Sequence, residues 1–256
     1  MTRLPSAHAD FHADPARETG GPARNAVLRG LPPQDRARLV NALQPVRFDL
    51  GDVIAEPGRR MDYIYFPTTM VVSSLYTTEE GATAEMGLTG NDGVVGVSLF
   101  LGGDVTPSRA VVVVAGDGFR LKASILRQEF ASGGPLQAQL LRYTHAFITQ
   151  ISQTAVCNRL HAVEQRLCRW LLMCHDRVER HDLQMTQEFI SNVLGGRRET
   201  VTVAAGRLQD AGLIRYTRGH ITIVDRAGLE SAACECYPTV AAWCDRLAGG
   251  QARMFA

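Results

Sequence analysis

Apolar and polar positions along the chain follow two periods in turn. Between Val46 and Lys122 the apolar runs are short: VRFDL, DVIAEPG, YIYFPTTMVVSSLYTT, ATAEMGLTG, GVVGVSLF and SRAVVVVAG. Turn pairs such as Gly51-Asp52, Glu80-Gly81 and Gly90-Asn91 separate them. Strand-like runs at that spacing, broken by residues that turn readily, predict an all-β barrel or sandwich. Upstream, residues 1–24 carry no period and predict a mobile leader. LPPQDRARLVNALQPV predicts a short helix entered through its prolines, with Leu39, Val40 and Leu43 inward.

After Lys122 the period becomes helical. ASILRQEF predicts a short helix, and Ser132-Gly133-Gly134-Pro135 resets the chain before a long helix starting near Leu136. That helix carries two apolar seams, one of Leu136, Leu140, Tyr143, Phe147 and Thr154, the other of Leu141, Thr144, Ile148, Ile151 and Ala155. Two seams require two partners, which predicts packing on the β domain and on a second copy of the same helix; a single wide stripe inside a monomer is the alternative. HAVEQRLCRWLLMCHDRVER then predicts an amphipathic helix with Val163, Leu167, Trp170, Leu171 and Cys174 inward. Further helices are predicted at about 186–194 and 198–210, followed by a ribbon, LIRYTRGHITIV, turning at Arg218-Gly219-His220.

The stretch GGRRETVTVAAGRLQDAGLI changes the picture most. Gly195 and Gly196 end one helix in a conformation open to positive φ, and the next starts at once, so the two cross steeply in helix-turn-helix fashion. At 100° per residue the second helix places Val201, Ala204 and Leu208 on a docking face. Arg198, Thr202 and Gly206 lie opposite, with Glu199 beside them. A guanidinium at such an edge matches the acceptor pair of guanine or a phosphate. Five arginines stand between residues 195 and 220 against two acids, although the whole chain carries a formal net charge of only +1. Any attraction to nucleic acid therefore comes from placement, and the ribbon with its basic tip predicts the winged form of the motif. An ordinary helical hairpin with a solvated charged face is the competing reading.

These residues resemble the Crp/Fnr superfamily of bacterial transcription regulators. The most specific part is TQEFISNVLGGRRETVTVAAGRLQDAGLI, with weaker support from GDVI, EPG and YIYF. The resemblance implies an α+β chain: residues 25–132 as a cyclic-nucleotide-binding-like β-roll (jelly roll), 133–160 as a dimerisation helix and 161–256 as a winged helix-turn-helix domain. It implies double-stranded DNA, a second copy of the chain and RNA polymerase as partners. Carried over by position, Arg198 and Glu199 would contact base edges, Arg197 and Thr186 phosphates, and Arg218 and His220 the backbone under the wing. Val203 stands where the family often has a second base-reading Arg, so the preferred operator should differ.

The family's cyclic-nucleotide members hold ribose and phosphate with Gly-x-x-Gly-Glu and Arg-Ser/Thr-Ala. In GVVGVSLFLGGDVTPSRAVVV the glycines Gly93 and Gly96 are kept, but Val97 takes the Glu position and Ser108 the Arg position. Arg109 is one residue away, which on a strand points to the other face. Cyclic AMP bound in the usual way is therefore not expected; these five residues are the candidate effector site, either for another ligand or as scaffold. Fumarate-nitrate-type iron-sulfur sensing needs cysteines near the N-terminus, whereas the first is Cys157. A lone His145 or His161 is expected to be surface or core rather than a haem ligand. Cys234, Cys236 and Cys244 form no four-ligand zinc signature, so packing of AACECY and AAWC against the wing domain is expected, and no metal or cofactor.

No apolar run approaches the ~20 residues of a membrane span and no export signal is evident, so a cytoplasmic protein with free thiols is expected. A metal triad, nucleophile elbow and phosphate loop are all lacking, and no enzymatic activity is expected. The alternative outside transcription is a ligand-binding regulatory subunit acting on a protein partner.

Overall fold

The computed structural model describes residues 21–178, 182–185, 187–195 and 198–247. Two small helical pieces, a 3-10 turn at Pro22–Arg24 and α1 (Ala26–Arg29), precede α2 (Pro33–Val40). Asn25 fixes the entry: its side chain accepts from the Val27 and Leu28 amides and donates to the Pro67 and Gly93 carbonyls at 2.9 and 2.8 Å. Leu39 of α2 is buried, but Val40 is 41% exposed, contrary to the helical reading, because the helix ends there and β1 begins four residues later.

The β domain follows: β1 (Gln44–Phe48), β2 (Val53–Ala55), β3 (Tyr63–Pro67), β4 (Val71–Thr77), β5 (Thr83–Thr89), β6 (Arg109–Val114) and β7 (Gly116–Lys122). They form two antiparallel sheets, β1-β7-β3 and β2-β6-β4-β5. The run from Tyr63 to Thr78 is thus two strands, one in each sheet, split at Thr68–Met70. GVVGVSLF is not a strand: Val95 pairs with Tyr65 in an isolated bridge and Val97–Leu99 winds into a 3-10 helix from Gly96, at φ 113°.

Strand β6 shows how the roll is built. Ala110 and Val112 enter a core with Ile64, Phe66, Met70 and Leu121, while Val111 and Val113, on the opposite face, join a second core with Leu167, Leu171 and Leu172. A strand buried on both faces reads as an unbroken apolar run, as RAVVVV does.

Then come α3 (Ala123–Ala131), α4 (Pro135–Leu160) and α5 (Val163–His175). Every residue of α5 from Leu167 to Cys174 is buried, including Arg169, where the sequence pattern predicts one apolar face. The helix is wedged between the outer face of the roll and the C-terminal domain, so its second side finds cover no local pattern announces. The C-terminal domain holds β8 (Asp182–Gln184), α6 (Gln187–Leu194), α7 (Arg198–Asp210), β9 (Ile214–Thr217), β10 (His220–Ile223) and α8 (Arg226–Ala232), with the small sheet ordered β8-β10-β9. A last helix, α9 (Cys236–Leu247), returns to α4, where Trp243 meets His145 edge-on at 4.5 Å between ring centres. Trp243 of AAWC therefore packs on the long helix, while Ala241 and Cys244 pack against the core that includes the wing domain. Among the described residues no helix is long and apolar enough to cross a membrane.

Candidate nucleic-acid interface and sensor cassette

Helix α6 ends at Leu194 and Gly195 takes φ +60°, the left-handed conformation that lets the chain turn sharply into α7. The Arg166 guanidinium of α5 donates to the Leu194 carbonyl, capping α6 from the domain core. On α7, Val201, Ala204, Ala205 and Leu208 are buried at 0–4% exposure. The opposite side presents Arg198, Glu199, Thr202, Val203 and Gly206 to solvent. Thr202 donates its hydroxyl to the Arg198 carbonyl at 2.9 Å, so its oxygen lies along the helix and its methyl faces outward. Gly206 would have open space around a Cβ, leaving a shallow floor on which a flat surface can approach.

Two polar residues of α7 are committed elsewhere. Arg207 pairs with Glu164 of α5 at 3.2 Å, and Gln209 accepts the Tyr216 amide of the ribbon at 2.8 Å. The presented edge is thus set at both ends, and its guanidinium is Arg198. Val203, 54% exposed, is an apolar spot on that edge.

Strands β9 and β10 pair with Thr217 opposite His220, leaving Arg218-Gly219 as a two-residue turn. Both have positive φ, 49° and 83°, the geometry of a type I′ hairpin. Arg218 is the one non-glycine residue with positive φ among those described. That position usually favours Asn, Asp or Gly, and a bulky side chain held there points to a use for it. His220 is held by Asp182 of β8, its Nδ1 at 3.0 Å from a carboxylate oxygen whose partner oxygen accepts from Thr222. Thr186 and Arg197 lie outside the described residues.

The sensor cassette is differently occupied. A Cβ on Gly93 would lie 1.9 Å from the Tyr143 ring of α4, so Gly93 admits close packing of that ring, and its carbonyl accepts from Asn25. Gly96 starts the 3-10 turn in which Val97 is half-buried. Ser108 is buried, on the Ala110 and Val112 side of the strand, with its hydroxyl 3.1 Å from that of Thr106. Arg109 faces the other way and lies 3.2 Å from Glu56, an ion pair by distance without hydrogen-bond geometry. The inward face at the family's Arg position thus offers a hydroxyl and no positive charge. Of two clefts of about 490 and 410 Å³, one is lined by the Leu99–Asp104 part of the cassette with Arg127 and Phe130 and the other lies between Arg29, Asp92, Arg177 and Tyr237; neither is lined by Val97, Ser108 or Arg109.

Polar contacts pin the roll to the C-terminal domain. Trp170 and Ser73 both donate to one oxygen of buried Glu85, at 2.9 and 2.7 Å, and burial raises that carboxyl's pKa above its ordinary 4.5 despite both donors. Arg177 joins Asp92 at 2.6 Å, Gln150 at 3.1 Å and the Met173 carbonyl at 2.7 Å. Apart from the Met173 carbonyl, four residues before Arg177, no local motif marks these partners, because they lie 12 to 85 residues apart in the chain.

On the outer side of α4, Leu141 is 48% and Ile148 54% exposed, with Ala155 exposed and Ile151 half-buried; Thr144 alone of that seam is buried. The other seam, Leu136, Leu140, Tyr143 and Thr154, is covered by the roll and α5, with Phe147 half-buried.

Residues 165–232 match the family model for the Crp-like helix-turn-helix domain. A "CRP-like cAMP-activated global transcriptional regulator" of Mycobacterium tuberculosis is 26% identical over 221 residues, covering 82% of this chain and 97% of that protein. Among solved structures, FixK2 from Bradyrhizobium japonicum superposes with a TM-score of 0.64 at 17% identity, covering 75% of this chain and 98% of that one. A Crp/Fnr-family transcriptional regulator from Thermus thermophilus gives 0.57 at 22% identity, covering 74% and 98%.

Proposed function

We propose, from the premise that this chain is a Crp/Fnr-family DNA-binding transcription regulator, that it works as a homodimer reading an inverted-repeat operator with α7. The observation that carries the reading is the division of α7 into a fully buried apolar face and an exposed edge headed by Arg198. Arg198 and Glu199 read base edges there, with Thr202 beside them, while Arg218 and His220 rest the wing on phosphates. Thr186 and Arg197 are assigned phosphate contacts by their sequence positions alone. Val203 can touch a thymine methyl but cannot donate a hydrogen bond, so the half-site differs from those read by two arginines.

Two-fold symmetry through the exposed seam of α4 sets two copies of α7 about one helical turn, ~34 Å, apart. RNA polymerase is the partner through which a bound regulator of this family acts. Selection of duplexes from a random pool tests the reading: it recovers an inverted repeat, and Arg198→Ala weakens binding to it by about 5–150-fold, the equivalent of ~1–3 kcal/mol. Unchanged affinity and selectivity in Arg198→Ala overturn the assignment of the reading edge.

The roll carries an effector input without using cyclic AMP as the mycobacterial relative's name describes for that protein. Supporting this, the inward positions that would need a carboxylate and a guanidinium carry Val97 and Ser108, and the nearby Arg109 faces away beside Glu56. Calorimetry with cyclic AMP is expected to show no binding that depends on Arg109; tight binding lost in Arg109→Ala refutes this.

A further inference from the structure

Four sulfur and nitrogen donors converge where α4, α5 and the C-terminal tail meet. Cys157 comes from the last turn of α4, His161 caps that helix, Cys234 lies between α8 and α9, and Cys236 is the first residue of α9. One donor atom from each lies within 4.8 Å of all the others. Cys157 Sγ is 3.5 Å from Cys234 Sγ, and Cys236 Sγ is 3.6 Å from His161 Nδ1. An ion with Zn–S bonds of about 2.3 Å and a Zn–N bond of about 2.05 Å in a tetrahedron sets S···S near about 3.8 Å and S···N near about 3.6 Å. Those two separations are within a few tenths of an ångström of these figures, and every other pair lies within 4.8 Å before any ion draws it in. All three thiols are buried, at 0–3% exposure, and they form a small core of their own apart from the two large apolar ones.

Two surroundings favour an ion over a packed trio of thiols. The far side of the imidazole is already engaged: His161 Nε2 sits 3.1 Å from Glu235 Oε1. A carboxylate on the non-ligating nitrogen is the arrangement that fixes ring orientation at zinc sites and strengthens the ligand. Buried Arg169, which donates to Thr154 at 3.0 Å, and neighbouring Arg166 each keep an Nε without a hydrogen-bond partner among the described residues. Three thiolates, a neutral imidazole and a divalent ion sum to one negative charge, which buried guanidinium groups offset.

We propose that Cys157, His161, Cys234 and Cys236 bind one zinc ion per chain, stapling the end of the α4 seam to the tail that follows the helix-turn-helix domain. Thiolate and imidazole donors suit zinc over magnesium or calcium, and donors this close fit a single ion, since sulfurs on the separate irons of a cluster stand farther apart. Each bound thiol gives up its proton to solvent, and no redox change occurs. The site locks the C-terminal end of α4 to the junction of α8 and α9, because two donors come from each.

Full-length protein, purified anaerobically under reductant and dialysed against zinc, is expected to hold about one zinc per chain by elemental analysis. Cobalt added to the stripped chain is expected to give the intense visible bands of a tetrahedral site together with thiolate-to-metal charge transfer. Cys234→Ser loses both signals, Cys244→Ser, outside the cluster, keeps them, and Glu235→Gln binds zinc about 10–100-fold more weakly. The cobalt spectrum is read on the unaltered chain, so a variant that fails to fold does not decide the matter. Absence of stoichiometric zinc and of the cobalt bands in the reduced parent chain overturns the proposal. So does a Cys157–Cys234 disulfide that persists under reductant and leaves no site.

Discussion

At the scale of single residues, the same physics separates the side chains that hold the molecule together from those that face its partner. Glu85 is a buried carboxyl with two donors, yet burial raises its pKa above the ordinary 4.5. A group whose folded pKa is raised contributes stability that is fully present below its unfolded pKa and is lost as pH rises through the folded value. Once pH rises past the folded pKa, the chain carries the cost of a buried charge between the roll and α5. Glu85→Gln keeps an oxygen to accept from Ser73 and Trp170 without that charge. Thermal denaturation is expected to show a higher Tm for the variant at mildly alkaline pH, with the difference shrinking as pH falls towards 4.5; a gap independent of pH contradicts the account. Arg198 presents the opposite case, a charge left in solvent where a duplex can reach it.

Elements show how local rules and uses collide. The β9–β10 hairpin has the length and backbone of a type I′ turn, whose first position Asn or Gly fills most cheaply, but it holds Arg218 at φ 49°. An L residue in that conformation costs about 1–2 kcal/mol. Arg218→Gly is expected to stabilise the domain by about 1 kcal/mol while weakening DNA binding evenly across sequences and making its salt dependence shallower by about one counterion. Denaturation and salt-titrated mobility shifts measure the two effects, and tighter DNA binding in the variant removes the wing from the interface. Helix α4 is the other informative element. Its seams face different surroundings, one the roll and the other solvent, because a helix that long cannot bury both against a single domain.

For the whole molecule, the decisive feature is that one apolar core runs from the outer face of the roll through α5 into the helix-turn-helix domain. A Cβ added at Gly195, in the turn between α6 and α7, would lie 3.6 Å from the Thr83 carbonyl and the Ala84 side chain of β5. The turn that leads into α7 therefore packs beside the roll as well as within its own domain. The proposed assembly adds a second copy through the exposed seam of α4. Leu141→Glu with Ile148→Glu puts like charges on facing seams and is expected to yield a monomer by sedimentation, with the affinity for an inverted repeat falling towards that for one half-site. A variant that stays dimeric places the two-fold axis elsewhere.

Helix α7 and its ribbon are legible in the residue pattern alone, since Val201, Ala204 and Leu208 recur at helical spacing and Arg218-Gly219 is a turn; both depend on neighbours within a few residues. The roll is legible as β structure from its short apolar runs, but not its two-sheet order, nor the 3-10 turn at Val97–Leu99, which a strand-like composition conceals. What the sequence by itself determined is the α+β class, the strand-then-helix order, the long helix with its two seams and the division of α7 into a buried apolar face and an exposed edge. Only the tertiary structure decided that α5 is buried on all sides, that Glu85 and Arg177 join two domains, that Trp243 of AAWC lies on α4, and that Cys157 and His161 stand beside Cys234 and Cys236. The physical reason is range. Periodicity and turn chemistry act between residues a few positions apart, whereas these contacts form between residues distant in the chain, where packing of whole elements, and no local pattern, chooses the partner.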